Sequence, residues 1–127
     1  MKLLLDTHTV LWFFSDVEKL STTAYKAIMS SENENYISVA SAWEIAIKIS
    51  LNKLSFDGGT ASFLATVEEN GFTILPIKAE YVKLVQNLPF LHRDPFDRML
   101  VVSAIAEGMC LVSADAAIQK YDASILW

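Results

Sequence analysis

Short apolar runs alternate along this chain with longer stretches in which apolar residues recur at helical spacing. The first run is Leu3-Leu4-Leu5, and a continuous apolar run of this kind is typical of a strand that is buried on both faces. Similar runs predict strands at residues 36–39, 72–75 and 109–112, and residues 125–127 are a candidate for a fifth strand. Helical segments separate these strands, so the two types of element alternate.

Capping signals indicate where helices begin in the first half of the chain. A helical stretch covers residues 10–14, and Ser21 can cap a second helix. The segment Ser41-Ala42-Trp43-Glu44 fits the capping-box pattern. It predicts that a helix begins there, directly after the second strand, and runs to about residue 51.

Similar signals divide the second half of the chain. Thr60 can cap a helix, and residues 79–88 are predicted to be helical. Asp94 followed by Pro95 has the form of an N-cap with proline at the first helical position. We therefore expect a helix from this point to about Glu107.

Strands that alternate with helices predict an α/β fold, in which helices cover a mostly parallel central sheet. The chain has 127 residues, which is near the usual size of one domain, and a second domain would have little core. No repeat, low-complexity segment or linker interrupts the sequence. Residues 1–127 are therefore predicted to form a single domain.

Two features of the sequence predict a cytoplasmic protein. Cys110 is the only cysteine, so no intrachain disulfide can form and a reducing compartment is expected. Asp6 and His8 interrupt the apolar run at the N-terminus, and no stretch approaches the length of a membrane span.

The mean hydropathy of +0.33 is high for a small soluble protein. Part of the apolar surface is therefore expected to be covered by a partner chain. The aromatic residues Trp12-Phe13-Phe14 and Trp43 are expected to lie mostly in the core. One or two of them are expected at an interface, where they could form a groove for a helix of the partner.

Four acidic residues are found where a strand passes into a helix. Asp6 follows the first strand, and Glu44 lies in the first turn of the predicted helix after the second. Asp97 lies in the first turn of the helix after Pro95, and Asp115 follows the fourth strand. In open parallel sheets, ligands bind beyond the carboxyl ends of the strands. We therefore expect these four carboxylates to meet at one edge of the sheet.

Three of the acids also have a purely structural explanation. Glu44 can complete the capping box, Asp97 can complement the helix dipole, and Asp115 can cap a short last helix. Asp6 differs because it ends a buried strand, where a lone carboxylate is costly without a partner. Asp97 in addition shares a helix face with apolar residues such as Leu100, so it is expected to point toward the core.

Taken together, the four carboxylates favour a metal site. They would repel one another, and protons or cations must neutralise them. Ligand sets made only of oxygen suit the hard cations Mg²⁺ and Mn²⁺, and such a site can support phosphodiester cleavage. The formal charge of −5 is unusual for a protein that binds nucleic acid, but two divalent cations would bring it to about −1.

Four short segments, which are distributed along nearly the whole chain, occur in the order and at the spacing that are typical of one protein family. They are Leu3-Leu4-Leu5-Asp6-Thr7-His8, Ser41-Ala42-Trp43-Glu44-Ile45, His92-Arg93-Asp94-Pro95-Phe96-Asp97-Arg98-Met99-Leu100 and Leu111-Val112-Ser113-Ala114-Asp115. The third segment contains Asp-Pro-Phe-Asp-Arg, which is the most specific signal. Together they resemble the PIN-domain family, and in particular its VapC-type toxins.

The resemblance implies a three-layer α/β/α sandwich and an endoribonuclease that uses Mg²⁺ or Mn²⁺. The acidic quartet of the family falls on Asp6, Glu44, Asp97 and Asp115, which are therefore the expected metal ligands and catalytic residues. Family members typically form homodimers and act as the toxin of a toxin–antitoxin pair. The implied partners are RNA as substrate and an antitoxin protein whose tail wraps near the active site.

Three further residues are candidates for contacts around the site. Thr7 and Ser113 could orient carboxylates or waters. Ser113 stands where threonine is frequent in the family, and the hydroxyl group is kept. Arg98 directly follows Asp97 and could reach a phosphate or the carboxylate of a partner.

The other polar candidates favour structural roles. Lys48 lies four residues after Glu44, so an ion pair within the helix is preferred over a phosphate contact. Arg93 is expected on the surface. His8 and His92 are too few and too far apart in sequence for a zinc site, and a structural hydrogen bond is expected for His8.

Three other functions are alternatives to the nuclease toxin. A phosphatase of the haloacid dehalogenase type also begins with an aspartate after an apolar strand, but it requires a second aspartate where this chain has His8. A non-catalytic binding module with a PIN-like fold would be expected to have lost acids, and all four are present. An RNA-processing nuclease without an antitoxin fits the same residues. A small neighbouring reading frame in the same operon would favour the toxin.

Overall fold

Five parallel strands form the centre of the computed structural model, which describes residues 1–127. The strands are β1 (Lys2–Leu5), β2 (Glu34–Ser38), β3 (Thr73–Leu75), β4 (Cys110–Val112) and β5 (Ile125–Leu126). Their order in the sheet is β3-β2-β1-β4-β5, with β1 between β2 and β4. All five predicted strands are therefore present, and the predicted parallel sheet is confirmed.

The helices lie in two layers on opposite faces of this sheet. They are α1 (Thr7–Ser15), α2 (Thr22–Met29), α3 (Val39–Ser50), α4 (Gly59–Glu69), α5 (Ala79–Val85) and α6 (Pro95–Glu107), with 3₁₀ turns at Val17–Lys19 and Ile118–Lys120. None of them is both long and apolar enough to cross a bilayer. Leu3 and Leu5 belong to a buried cluster with residues of α1 to α4, whereas Leu4 belongs to a second cluster with residues of α5 and α6. Because successive strand side chains point to opposite faces, this division confirms the three-layer α/β/α sandwich.

Two helices begin at the predicted caps. The Ser21 hydroxyl accepts a hydrogen bond from the backbone N–H of Ala24 at the start of α2. Asp94 Oδ1 accepts hydrogen bonds from the first two free N–H groups of α6, and Pro95 is the first residue of that helix. Both arrangements satisfy N–H groups that have no partner within the helix.

The start of α3 differs from the prediction. Ser38, the last residue of β2, caps this helix by accepting a hydrogen bond from the backbone N–H of Ala40. The predicted capping box is therefore wrong, and Ser41 lies inside the helix. Since α3 begins at Val39, Glu44 lies in its second turn rather than its first.

The bounds of α4 and α5 also differ from the prediction. Gly58 precedes α4 with φ of 81°, a left-handed conformation that favours glycine. Because α4 has no side-chain cap, the role predicted for Thr60 is wrong. α5 ends at Val85 and is therefore shorter than the predicted range of 79–88. After Val85 the backbone forms tighter turns, and the N–H of Leu88 donates to the carbonyl oxygen of Val85 at 3.2 Å.

Candidate metal centre

Asp6 is the first residue after β1, and only 4% of its surface is exposed. Its Oδ1 atom caps α1 by accepting a hydrogen bond from the backbone N–H of Thr9 at 2.8 Å. Its Oδ2 atom accepts a hydrogen bond from the hydroxyl of Ser113, which follows β4. Since β1 and β4 are neighbours in the sheet, their pairing brings these two residues together. The orientation of the Asp6 carboxylate is thus fixed through both oxygens.

Asp115 is held at the same edge of the sheet. Its backbone N–H donates to Ser113 Oγ at 3.1 Å, and its Oδ1 atom accepts hydrogen bonds from the N–H groups of Ala117 and Ile118. It therefore caps the short turn that follows, as predicted. Burial raises the pKa of Asp115, but hydrogen bonds from Ile118, His92 and Ala117 together outweigh burial and leave the pKa below its usual value. Asp115 is thus ionised at neutral pH.

Glu44 presents one buried oxygen without a partner. The side chain is almost completely buried, and its Oε2 atom accepts a hydrogen bond from Lys48 Nζ at 2.8 Å. This contact is the ion pair that the sequence favoured. The Oε1 atom is buried and has no hydrogen-bond partner. A buried polar atom without a partner is costly, and a cation beside this oxygen would remove that cost.

Asp97 lies in the first turn of α6, close to the other acids. Burial raises the pKa of Asp97 from its usual 3.8 to about 7. The negative charges of Asp94, Asp6 and Glu44 contribute in the same direction, whereas His92 lowers the pKa. Three of the four predicted acids are therefore close enough to interact through their charges.

His92 connects Asp97 to Asp115. Its Nε2 atom lies 3.1 Å from Oδ2 of each of these aspartates, and the candidate ligand atoms of the three residues all lie within 4.8 Å of one another. This position of His92 beside the acids was not predicted from the sequence, where His92 was a candidate only for a zinc site. One signal for it was available, since His92 precedes the Asp94-Pro95 helix start by two residues.

The side chains at this edge of the sheet fit a divalent cation. All four predicted acids lie here. Ser113 is hydrogen-bonded to Asp6 and Asp115, and His92 contacts Asp97 and Asp115. The charge of Glu44 acts on the pKa of Asp97. A cleft of about 230 Å³ opens beside Asp6 and Asp115. Carboxylate oxygens are the ligands that Mg²⁺ and Mn²⁺ prefer, and Oε1 of Glu44 has no other partner.

The two predicted hydroxyl contacts have different outcomes. Ser113 binds the carboxylate of Asp6, the kind of contact that the sequence suggested. The hydroxyl of Thr7 instead donates to Ser41 Oγ at 3.0 Å. Thr7 therefore links α1, which follows Asp6, to α3, which contains Glu44. Its hydroxyl donates to Ser41 and not to a carboxylate.

Arg98 has a structural role that the sequence did not predict. It is 9% exposed, and Nη1 lies 3.3 Å from the hydroxyl oxygen of Tyr121. Its guanidinium also donates to backbone carbonyl oxygens of Val85, Leu88, Pro89 and His92. These donors hold the segment between α5 and α6 in place, and a contact of Arg98 with phosphate or with a partner carboxylate stays a prediction.

The aromatic residues near the site are only partly buried. The segment Trp12-Phe13-Phe14 packs against the core, as expected for most of these side chains. Trp43 was also expected in the core but is 58% exposed, with its ring centroid 5.1 Å from that of Phe96. His8 is exposed and lies beside Trp12 at 5.8 Å, a ring contact in place of the predicted hydrogen bond.

The raised pKa of Asp97 predicts that the metal-free protein loses stability as the pH rises. The native state keeps the proton of Asp97 up to about pH 7, whereas the unfolded chain releases it near 3.8. We therefore expect the free energy of unfolding to fall by about 1 to 2 kcal/mol between about pH 5 and about pH 8, after allowance for solvent screening. The pKa of Asp115 is lowered, so this residue makes the free energy of unfolding rise with pH. That rise is confined to acidic pH, near the usual pKa of an aspartate.

Urea denaturation in EDTA at both pH values measures this effect. The comparison is with Asp97→Asn, which has no titrating carboxyl at this position and in which the decrease should be smaller by the stated amount. Saturating Mn²⁺ should also reduce the decrease, since the cation replaces the proton. Identical pH profiles for the wild type and Asp97→Asn would contradict the prediction.

Comparisons with known proteins identify a family and a shared fold. The model of the family described as PIN domain matches residues 3–124. No curated protein matches the chain at a significant level.

Solved structures match the chain over almost its full length. VapBC2 from Rickettsia felis, bound to a DNA fragment from its promoter, has a TM-score of 0.75 and 17% identity, and the match covers 99% of this chain and 98% of that chain. DNA-bound VapBC from Salmonella typhimurium has a TM-score of 0.71 and 16% identity, with coverage of 99% and 97%. A toxin–antitoxin complex from Klebsiella pneumoniae has a TM-score of 0.62 and 18% identity, with coverage of 98% and 96%. At these identities the likeness is one of fold.

Proposed function

The chain belongs to the PIN domain family, and on that basis we propose that it is an endoribonuclease that depends on Mg²⁺ or Mn²⁺. The observation that carries this proposal is the acidic cluster at the carboxyl edge of the sheet, in which Asp6 and Glu44 are buried and Asp97 and Asp115 are half-buried. In this cluster Oε1 of Glu44 has no hydrogen-bond partner, and the pKa of Asp97 is raised to about 7. A bound divalent cation would compensate both of these unfavourable features.

Each acid has a role in this proposal. Asp6 and Asp97 hold the principal cation, and Glu44 and Asp115 complete or orient its ligand set. The cation would lower the pKa of a water molecule and neutralise charge on the phosphate. Ser113 keeps the Asp6 carboxylate in a fixed orientation through its hydrogen bond, so little reorganisation is needed when RNA binds.

We further propose that the protein is a cytoplasmic toxin that forms a homodimer and is inhibited by an antitoxin. The fold match to a toxin–antitoxin complex from Klebsiella pneumoniae supports this proposal. Exposed apolar side chains, among them Trp43, Leu51 and Phe90, offer surface that partner chains would cover. A small neighbouring reading frame that encodes such a partner would favour this role over RNA processing without an antitoxin.

We expect partner-free protein to cleave a mixed RNA pool in Mg²⁺ or Mn²⁺ and to leave it intact in EDTA. Asp6→Asn should reduce cleavage at least about a hundredfold, because the amide keeps the oxygen that caps α1 but removes the negative charge. Thermal denaturation checks that the variant is folded. Normal cleavage by Asp6→Asn, or cleavage in EDTA, would contradict the metal site. No cleavage of any RNA by the folded wild type would favour a PIN fold kept for binding.

A further inference from the structure

His92 is held in place by contacts that do not involve the side chains of the four candidate metal ligands. Its backbone N–H donates to the hydroxyl oxygen of Tyr121 at 3.0 Å, and its carbonyl oxygen accepts a hydrogen bond from Arg98 at 3.5 Å. Within the ring, Nδ1 accepts a hydrogen bond from the backbone N–H of Asp94 at 3.0 Å. The side chain is 14% exposed. These contacts fix the direction in which the other ring nitrogen, Nε2, points.

The contact with Asp94 also determines which ring nitrogen carries the hydrogen. A backbone N–H can only donate, so Nδ1 of His92 accepts and has no hydrogen of its own. The ring therefore carries its single hydrogen on Nε2, which lies 3.1 Å from Oδ2 of Asp115 and 3.1 Å from Oδ2 of Asp97. In this tautomer Nε2 has no lone pair to offer to a metal ion.

We infer that His92 is a positioning residue rather than a metal ligand. Its Nε2–H group holds the carboxylates of Asp97 and Asp115 together, in the arrangement that the cation requires. The inference rests on the proposed function, because it assigns a role within the same site. The two carboxylates belong to different elements, α6 and the loop after β4, and they repel each other. An N–H group between their Oδ2 atoms offsets that repulsion.

The contacts of Asp115 make this role specific. Its Oδ1 atom is already held by the N–H groups of Ala117 and Ile118. The hydrogen bond from His92 to Oδ2 therefore fixes the remaining rotation of the carboxylate. A ligand whose second oxygen is fixed in this way loses less conformational freedom when a cation binds.

The tautomer can be measured in the metal-free protein by nitrogen-15 NMR of the histidine rings. At about pH 8 we expect His92 to have a hydrogen on Nε2 and none on Nδ1, because Nδ1 accepts the hydrogen bond from the backbone N–H of Asp94. The spectrum of His92→Gln assigns the signal, and exposed His8, the only other histidine, is the reference. A hydrogen on Nδ1 would overturn the inference, whatever the protein does with metal or RNA.

Two conservative variants separate the two contacts of the ring. His92→Gln keeps an N–H donor near the position of Nε2 and loses the acceptor for Asp94, whereas His92→Asn keeps an acceptor near Nδ1 and loses the donor. In calorimetric titrations with MnCl₂, we expect His92→Ala and His92→Asn to bind Mn²⁺ about tenfold to a hundredfold more weakly than the wild type, and His92→Gln to recover most of the affinity. Equal losses in His92→Asn and His92→Gln would contradict the positioning role. Thermal denaturation of all three variants controls for folding.

Pulsed electron paramagnetic resonance of the Mn²⁺-loaded wild type separates positioning from ligation. We expect no nitrogen bonded directly to Mn²⁺, and a bonded histidine nitrogen would overturn the inference. A wild-type protein that binds no Mn²⁺ would contradict the proposed function instead. The nitrogen-15 spectrum would then decide the inference independently.

Discussion

Asp97→Asn is expected to abolish RNA cleavage and, in the same protein, to stabilise the metal-free fold at about pH 8. Burial, together with the charges of Asp94, Asp6 and Glu44, raises the pKa of Asp97 to about 7. Above that pH the wild type holds an ionised carboxylate in surroundings that oppose its charge. The neutral amide avoids this cost, which is about 1 to 2 kcal/mol after allowance for solvent screening. Cleavage should fall at least about a hundredfold, because an amide is a much weaker ligand for a hard cation.

Urea denaturation in EDTA and cleavage in Mn²⁺ test both parts of this prediction on one preparation. Asp94→Asn is the matched control, because it removes the same charge three positions earlier and still caps α6 through its side-chain oxygen. We expect the control to keep most of the cleavage activity. A gain of stability with a loss of activity is typical of a functional acid in unfavourable surroundings. A loss of both in Asp97→Asn would instead indicate that Asp97 is a structural residue.

Arg98→Met is expected to lower the free energy of unfolding by about 3 kcal/mol, or the Tm by roughly 10 °C. Methionine fills a similar length of chain but has no donor. The substitution therefore leaves the carbonyl oxygens of the segment between α5 and α6 without the partner that Arg98 supplies. His92 is in that segment, so Mn²⁺ binding should weaken as well.

Arg93→Met is the matched control for this experiment. Arg93 lies in the same segment and carries the same charge, but it is exposed, as predicted. We expect its effect on the Tm to be small, since substitutions at exposed positions usually change stability by less than about 0.5 kcal/mol. Equal losses in the two variants would indicate that the positive charge, rather than the hydrogen bonds of Arg98, stabilises the segment.

The order of strands and helices could be predicted because it depends on local pattern. Leu3, Leu4 and Leu5 are fully buried, as expected for a continuous apolar run in a central strand. The start of α3 could not be predicted, because Ser38 and Ser41 have the same capping chemistry. The choice depends on where β2 stops pairing, and Ser38 is its last residue, opposite Leu75 of β3.

The site was predictable to the extent that its residues lie at strand ends. Asp6 directly follows the central strand β1, and Asp115 comes shortly after the neighbouring strand β4, so both could be placed from the sequence. Glu44 was placed at the correct edge although the capping box that suggested it is wrong. His92 and Arg98 could not be assigned, because their partners are backbone groups of the irregular segment before α6, which has no periodic pattern.

For the nuclease proposed above, the pairing of β4 beside β1 also determines when cleavage can begin. Asp6 and Ser113 are hydrogen-bonded although 107 positions separate them in sequence. Contacts of such long range form slowly, because a large loop must close first. On the ribosome the N-terminal part emerges first, so a nascent chain that has not reached residue 115 contains an incomplete set of acids. A nuclease with this topology would remain inactive during its own translation. It would not cleave the neighbouring messenger and ribosomal RNA until β4 has paired with β1.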